Sequence, residues 1–135
     1  MPVLTFAQSE ELAVRTLTRC RTSEANAQSV ARALVAAEAE GLKGHGLSRL
    51  PIYAAQAKVG KVDGFAKPAV TKPKPSVVAV DAAHGFAYPA IEAALSELPS
   101  VARAQGVAVA AISRSHHCGA AGHPVERLAE AGLVA

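Results

Sequence analysis

The sequence holds no Trp, a single Met, three Phe and two Tyr. So few aromatics exclude the base-stacking platforms of single-strand nucleic-acid modules and leave the packing to Ala, Val and Leu. Only two cysteines are present, Cys20 and Cys118, with no CxxC spacing, which excludes a disulfide framework and points to a reduced, cytoplasmic setting. No apolar run approaches the roughly 20 residues of a membrane span, and the first residues show no basic-then-apolar leader pattern. Charge of one sign is also scarce, with 14 Lys and Arg against 11 Asp and Glu for a net +3. Lys58, Lys61, Lys67, Lys72 and Lys74 make a loose basic group without interleaved aromatics, which reads as a solvated face. Neither a nucleic acid nor a membrane is expected as partner.

What the chain does have is 50% hydrophobic residues over 135 positions, enough for a real core in about one domain. Thr5 and Gln8 form a capping-box pair, opening a helix to about Cys20 with Leu12, Leu17 and Cys20 inward. Ser23 followed by Glu24 caps a second helix, burying Val30, Leu34 and Ala37 and ending at Gly41 and Gly44. Pro51 fits the first turn of a third helix, capped near Ser48 and running to about Val59. Pro68, Pro73 and Pro75 forbid helix in the next stretch, where Val70-Thr71 reads as an extended partner of the strand Ser76–Asp81. Pro89 opens a fourth helix that kinks or breaks at Pro99 and closes at Gly106. Val107 to Ile112 is apolar without alternation, the pattern of a buried strand, and Pro124 starts a last short helix ending at Gly132. Leu133-Val134-Ala135 reads as the opening of a further buried strand. The fold class expected is α+β, a helical lobe over 1–62 followed by a strand-helix-strand-helix part over 63–135.

Two polar, glycine-rich loops carry the chemistry. In Gly44-His45-Gly46-Leu47-Ser48-Arg49-Leu50-Pro51-Ile52-Tyr53 an imidazole, a guanidinium and a phenol recur every four residues. Pro51 makes His45 a loop residue leaning over a helix that carries Arg49 and Tyr53. Arg49 suits a substrate carboxylate through its planar fork, or a surface pair with Glu38 or Glu40. The second loop, Ser113 to His123, follows the apolar strand and holds His116, His117, Cys118 and His123. Those four offer nitrogen and sulfur for zinc, yet adjacent His116 and His117 point apart on an extended backbone and no HxxxH pair exists, so no metal site is expected. Gly119-Ala120-Ala121-Gly122 before a helix is a weak phosphate-cradle pattern, lacking GxGxxG and a P-loop Lys.

At these two loops the chain resembles the malate/L-lactate dehydrogenase family, NAD(P)-dependent oxidoreductases without a Rossmann fold. The family pattern D-S-H-G-x-x-R-L-P-x-Y is met by Lys43-Gly44-His45-Gly46-Leu47-Ser48-Arg49-Leu50-Pro51-Ile52-Tyr53. A second pattern, S-x-H-x-G-x-x-G, is met by Ser115 to Gly122. The resemblance implies hydride transfer between NAD(P)H and a 2-oxo or 2-hydroxy acid, or a cyclic imino acid. It implies that His45 and His117 flank a small carboxylate substrate, either being the proton donor, that Arg49 binds the carboxylate and that Tyr53 lines the pocket. Gly44 stands where the family has Ser and Lys43 where it has Asp, a change of polar contacts at the substrate. Family members are two to three times longer, so the chain reads as truncated, with the cofactor-binding domain expected beyond residue 135. Exposed apolar strand ends predict a homodimer. The rival reading is a catalytically silent fragment that only self-associates or binds a partner.

Overall fold

The computed structural model describes residues 3–135 and divides into two compact units, one ending at Phe65 and one spanning Ala66–Ala135. The first is helical. Helix α1 (Phe6–Arg19) is opened by the expected reciprocal cap, with the Thr5 amide donating to Gln8 Oε1 at 2.9 Å and the Gln8 amide to Thr5 Oγ1 at 3.2 Å. Its buried stripe is Ser9, Ala13 and Leu17. Leu12, expected inside, faces solvent, because it lies about 100° around the helix from Ala13, and Cys20 ends the helix half-buried.

Helix α2 (Glu24–Ala39) starts at Ser23, whose Oγ accepts the Asn26 amide, and buries Val30, Leu34 and Ala37 as their spacing predicts. The end of the unit is fastened to this start. The Gly64 carbonyl accepts from the Ser23 amide at 3.0 Å and from Asn26 Nδ2 at 2.9 Å, beside a parallel bridge between Thr22 and Gly64. Helix α3 (Leu50–Lys58) is entered through a 3-10 turn, Leu47–Arg49. Ser48 does not cap it: its hydroxyl donates to the Lys43 carbonyl, and the turn runs straight into the helix at Arg49 with no side-chain cap. Pro51 sits in the first turn, where its missing N–H costs nothing.

The second unit is a three-stranded sheet in the order β1-β2-β3 (Ala69–Lys74, Val77–Asp81, Val109–Ser113). Strands β1 and β2 are antiparallel, with the register irregular between Thr71 and Lys74 where Pro73 lies, as an edge strand tolerates. Strands β2 and β3 are parallel, joined by α4 (Ala87–Gln105), with Asp81 level with Ser113. Val78, Val80 and Ala82 form the core with Ala90, Ala94 and Val101 of α4.

Three expectations are corrected here. Helix α4 begins at Ala87, ahead of Pro89, and of the kink or break expected at Pro99 the break is absent, since one lost donor is tolerated where the flanking turns stay packed. Strand β3 is an edge strand, not a buried one: only Ala110 and Ile112 turn toward the core, and Val109 is 56% exposed. After α5 (Gly122–Glu130), Leu133-Val134-Ala135 forms no strand, and Val134 is fully exposed. Among the described residues no helix is long and apolar enough to cross a membrane.

Candidate functional site

The first loop is a braced turn within the helical unit. Its amides fold back on themselves, His45 donating to the Leu42 carbonyl at 2.8 Å and Arg49 to that of Gly46 at 3.0 Å. Glu38, on α2, reaches up so that its Oε2 accepts the Leu47 amide at 3.0 Å, neutralising the exposed start of the 3-10 turn. The loop therefore lies flat on α2 at Gly46. A Cβ there would come within 3.0 Å of the Glu38 backbone and closer still to its carboxylate, so only glycine fits.

Glu38 is thus committed to backbone, and among the described residues neither it nor Glu40 pairs with Arg49. Arg49 is instead anchored from behind, its Nε donating to the Gly44 carbonyl at 2.6 Å. That bond fixes the plane of the guanidinium and leaves its two terminal nitrogens as the fork a carboxylate would meet. His45 is half-buried in the same turn. Gly44 lies open, with nothing within 4 Å of the place a Cβ would take. Tyr53, a turn along α3, is 2% exposed, a buried member of the helical core.

The second loop is built at the carboxyl ends of the two parallel strands. Level registration of Asp81 with Ser113 places Arg114 beside Asp81, and the guanidinium clasps the carboxylate with two bonds: Nε to Oδ1 at 2.9 Å and Nη2 to Oδ2. Asp81 Oδ1 also accepts the Ala83 amide at 2.9 Å. The Arg114 hydrogen bond, then the Ala83 amide, hold the Asp81 carboxyl down at about 2, and the same pair raises Arg114. Backbone bonds continue the zip past the strand ends: Ala82 to the Ser113 carbonyl at 3.0 Å, His84 to Arg114 at 2.7 Å, and His116 to Gly85 at 3.1 Å. Making them drives Ala83, His84 and Arg114 to positive φ (51°, 61° and 49°), a conformation L-residues adopt at a cost.

The two adjacent histidines part company. His116 turns inward and sets its ring edge-to-face on buried Phe86, centroids 5.8 Å apart. His117 is exposed, and its Nδ1 accepts the Gly119 amide at 3.1 Å. Cys118 is exposed. Among the described residues no three His, Cys, Asp or Glu side chains converge as a metal site would need.

Sequence reasoning missed three parts: the Glu38 brace, the Asp81–Arg114 clasp and the Phe86 seat of His116. Of these only the clasp had a signal, an Asp and an Arg each at the exit of a predicted strand.

Residues 4–135 match the family model of malate/L-lactate dehydrogenase. The chain belongs to that family. It is 47% identical over 133 residues to (2R)-3-sulfolactate dehydrogenase (NADP(+)) of Chromohalobacter salexigens, covering 98% of this chain and 40% of that one. It is 42% identical over 132 residues to the Delta(1)-pyrroline-2-carboxylate/Delta(1)-piperideine-2-carboxylate reductase of Pseudomonas aeruginosa, again 98% of this chain and 40% of the relative. Among solved structures, the delta1-piperideine-2-carboxylate reductase of Pseudomonas syringae pvar. tomato superimposes with a TM-score of 0.92 at 38% identity, covering 98% of this chain and 40% of that one. The malate dehydrogenase of Pyrococcus horikoshii does so at 0.86 and 27%, covering 96% and 37%. The chain thus spans about 40% of the length of the family members it matches. The fold is the α+β arrangement expected from the order of the elements in the sequence.

Proposed function

We propose that this chain supplies the carboxylate-binding part of the active site of an NAD(P)H-dependent oxidoreductase. Its substrate class is a 2-oxo or 2-hydroxy acid, or a cyclic imino acid. The observation that carries this reading is Arg49, fixed through Nε to the Gly44 carbonyl and paired with no carboxylate among the described residues, in the same braced turn as His45. A guanidinium so anchored presents two parallel donors with little left to order, which suits a bidentate carboxylate. The names of the relatives supply the substrate class, a sulfonated 2-hydroxy acid in one and cyclic imino acids in the other.

NAD(P)H, when bound, supplies the hydride. Among the described residues no Rossmann-type phosphate turn is found. The turn Gly119-Ala120-Ala121-Gly122 lacks the GxGxxG spacing, and α5 opens at Ala121 without a capping side chain. The cofactor is proposed to rest mainly on sequence that the relatives have beyond the matched part. This chain's own residues have two tasks. Arg49 holds the carboxylate so that the reacting carbon presents one face. His45 and His117 are the imidazoles proposed to exchange the proton that a reduced C=O or C=N bond requires near neutral pH. Tyr53, 2% exposed, is proposed to back the substrate pocket from within the helical core. Gly44, with its open surroundings, leaves room at the substrate where the family pattern has a serine. A homodimer completes the proposal, through the exposed apolar residues of the sheet unit such as Val107 and Val109. Light scattering giving a clean monomer at high concentration would remove that part.

Calorimetric titration of the chain with 3-sulfolactate and with pyrroline-2-carboxylate tests the main claim. Saturable binding of at least one is expected, weakened tenfold or more in Arg49→Gln, the order of a charge-assisted hydrogen-bond pair. Equal affinity in the variant would overturn the reading.

A further inference from the structure

Between His117 and α4 lies an arrangement that the proposed proton exchange does not itself require. The Gly119 amide donates to His117 Nδ1 at 3.1 Å. Gly119 itself sits at φ 72°, and a Cβ on it would lie 2.5 Å from the Tyr88 hydroxyl oxygen and 2.9 Å from its Cε1. Tyr88, on the first turn of α4, is buried, so the ring is no loose side chain that can swing aside. The loop at Gly119 is therefore pressed down on Tyr88, and that seat aims its amide at the imidazole.

We infer that Gly119 and Tyr88 are positioning residues that set the tautomer of His117. A ring nitrogen that accepts a hydrogen bond carries no proton, so the neutral imidazole holds its proton on Nε2. His117 then meets a carbonyl oxygen or imine nitrogen as an N–H donor, and the other tautomer costs the Gly119 bond. The device rests on the proposed role of His117 only for its purpose. Its physical content stands apart from any substrate.

The test is two-bond 1H–15N correlation of the His117 ring in the chain without ligand, which reports the protonated nitrogen directly. The wild type should show a pyrrole-like Nε2 and a pyridine-like Nδ1. Gly119→Ala should lower the tautomer ratio about fivefold, the factor one ordinary hydrogen bond carries. The Gly119→Ala/Tyr88→Leu double variant, which makes space for the methyl group but keeps the strain of an L-residue at φ 72°, should recover only part of it. Amide spectra of α1 to α3 act as a folding control, because the helical unit is compact by itself and should be unchanged. A wild-type His117 protonated at Nδ1, or a ratio unmoved by Gly119→Ala with Tyr88 intact, overturns the inference. Failure of Arg49 to bind carboxylates would leave these spectra as they are, so the two readings fail separately.

Discussion

The two histidine loops reach order by different means. The His45 loop is held by side chains, with Glu38 under its amides, Ser48 on Lys43 and Arg49 on Gly44. The His117 loop is held by backbone bonds between strand ends and by one ion pair, and it carries Arg114 in a left-handed conformation opposite Ala83 and His84. Loop order borrowed from a neighbouring helix needs close approach and no strain. Order borrowed from a sheet needs register, and here the strain of turning two strand exits toward each other is what register costs.

The sharpest way to break the first loop is at its point of contact with α2. Gly46→Ala places a methyl against Glu38 and should destabilise the helical unit by about 2 kcal/mol, the usual range for forced overpacking. Urea unfolding followed by circular dichroism reads it, and a change within error would mean the loop can lift off α2. In the second loop the corresponding change should go the other way. Ala83→Gly relieves a positive φ and should stabilise the sheet unit by about 1 kcal/mol, less what the extra freedom of the unfolded chain removes.

The ion pair of the second loop gives a smaller effect that depends on pH. The Asp81 carboxyl titrates at about 2 when folded against an ordinary value of 3.8, so its stabilisation is complete above the ordinary value. It is lost as pH falls through the folded one. Asp81→Asn should therefore melt below the wild type by a constant interval above about pH 5, and the interval should close as the pH approaches 2. A gap that persists at low pH would show that the pair acts through shape and not charge. The smallest expected effect is at Gly44. Nothing lies within 4 Å of a Cβ there, so Gly44→Ser should change stability by no more than about 0.5 kcal/mol while altering which ligand binds.

The comparison also explains what the sequence disclosed. The helical unit was legible almost residue by residue, because caps such as Thr5 with Gln8 and stripes such as Val30 with Leu34 are local signals. The sequence also put His45 and His117 in glycine-rich loops and Arg49 at the entry to α3. What stayed hidden depends on partners far along the chain. Val109 reads as buried until the sheet order leaves β3 at an edge. Arg114 acquires its meaning only when Asp81 is level with Ser113. Pro99 reads as a kink or a break because propensity is judged one helix at a time, without the packing of α4 on β2 that carries the helix through.

Arg49 as a carboxylate fork in the His45 turn is the central proposal. The most direct measurement follows the Arg49 Nε–H and His45 ring resonances while the chain is titrated with a 2-hydroxy acid and, separately, with its methyl ester. Saturable shifts at both residues are expected with the acid and none with the ester, the acid response vanishing in Arg49→Gln. Equal shifts with acid and ester, or shifts that survive the substitution, would contradict it.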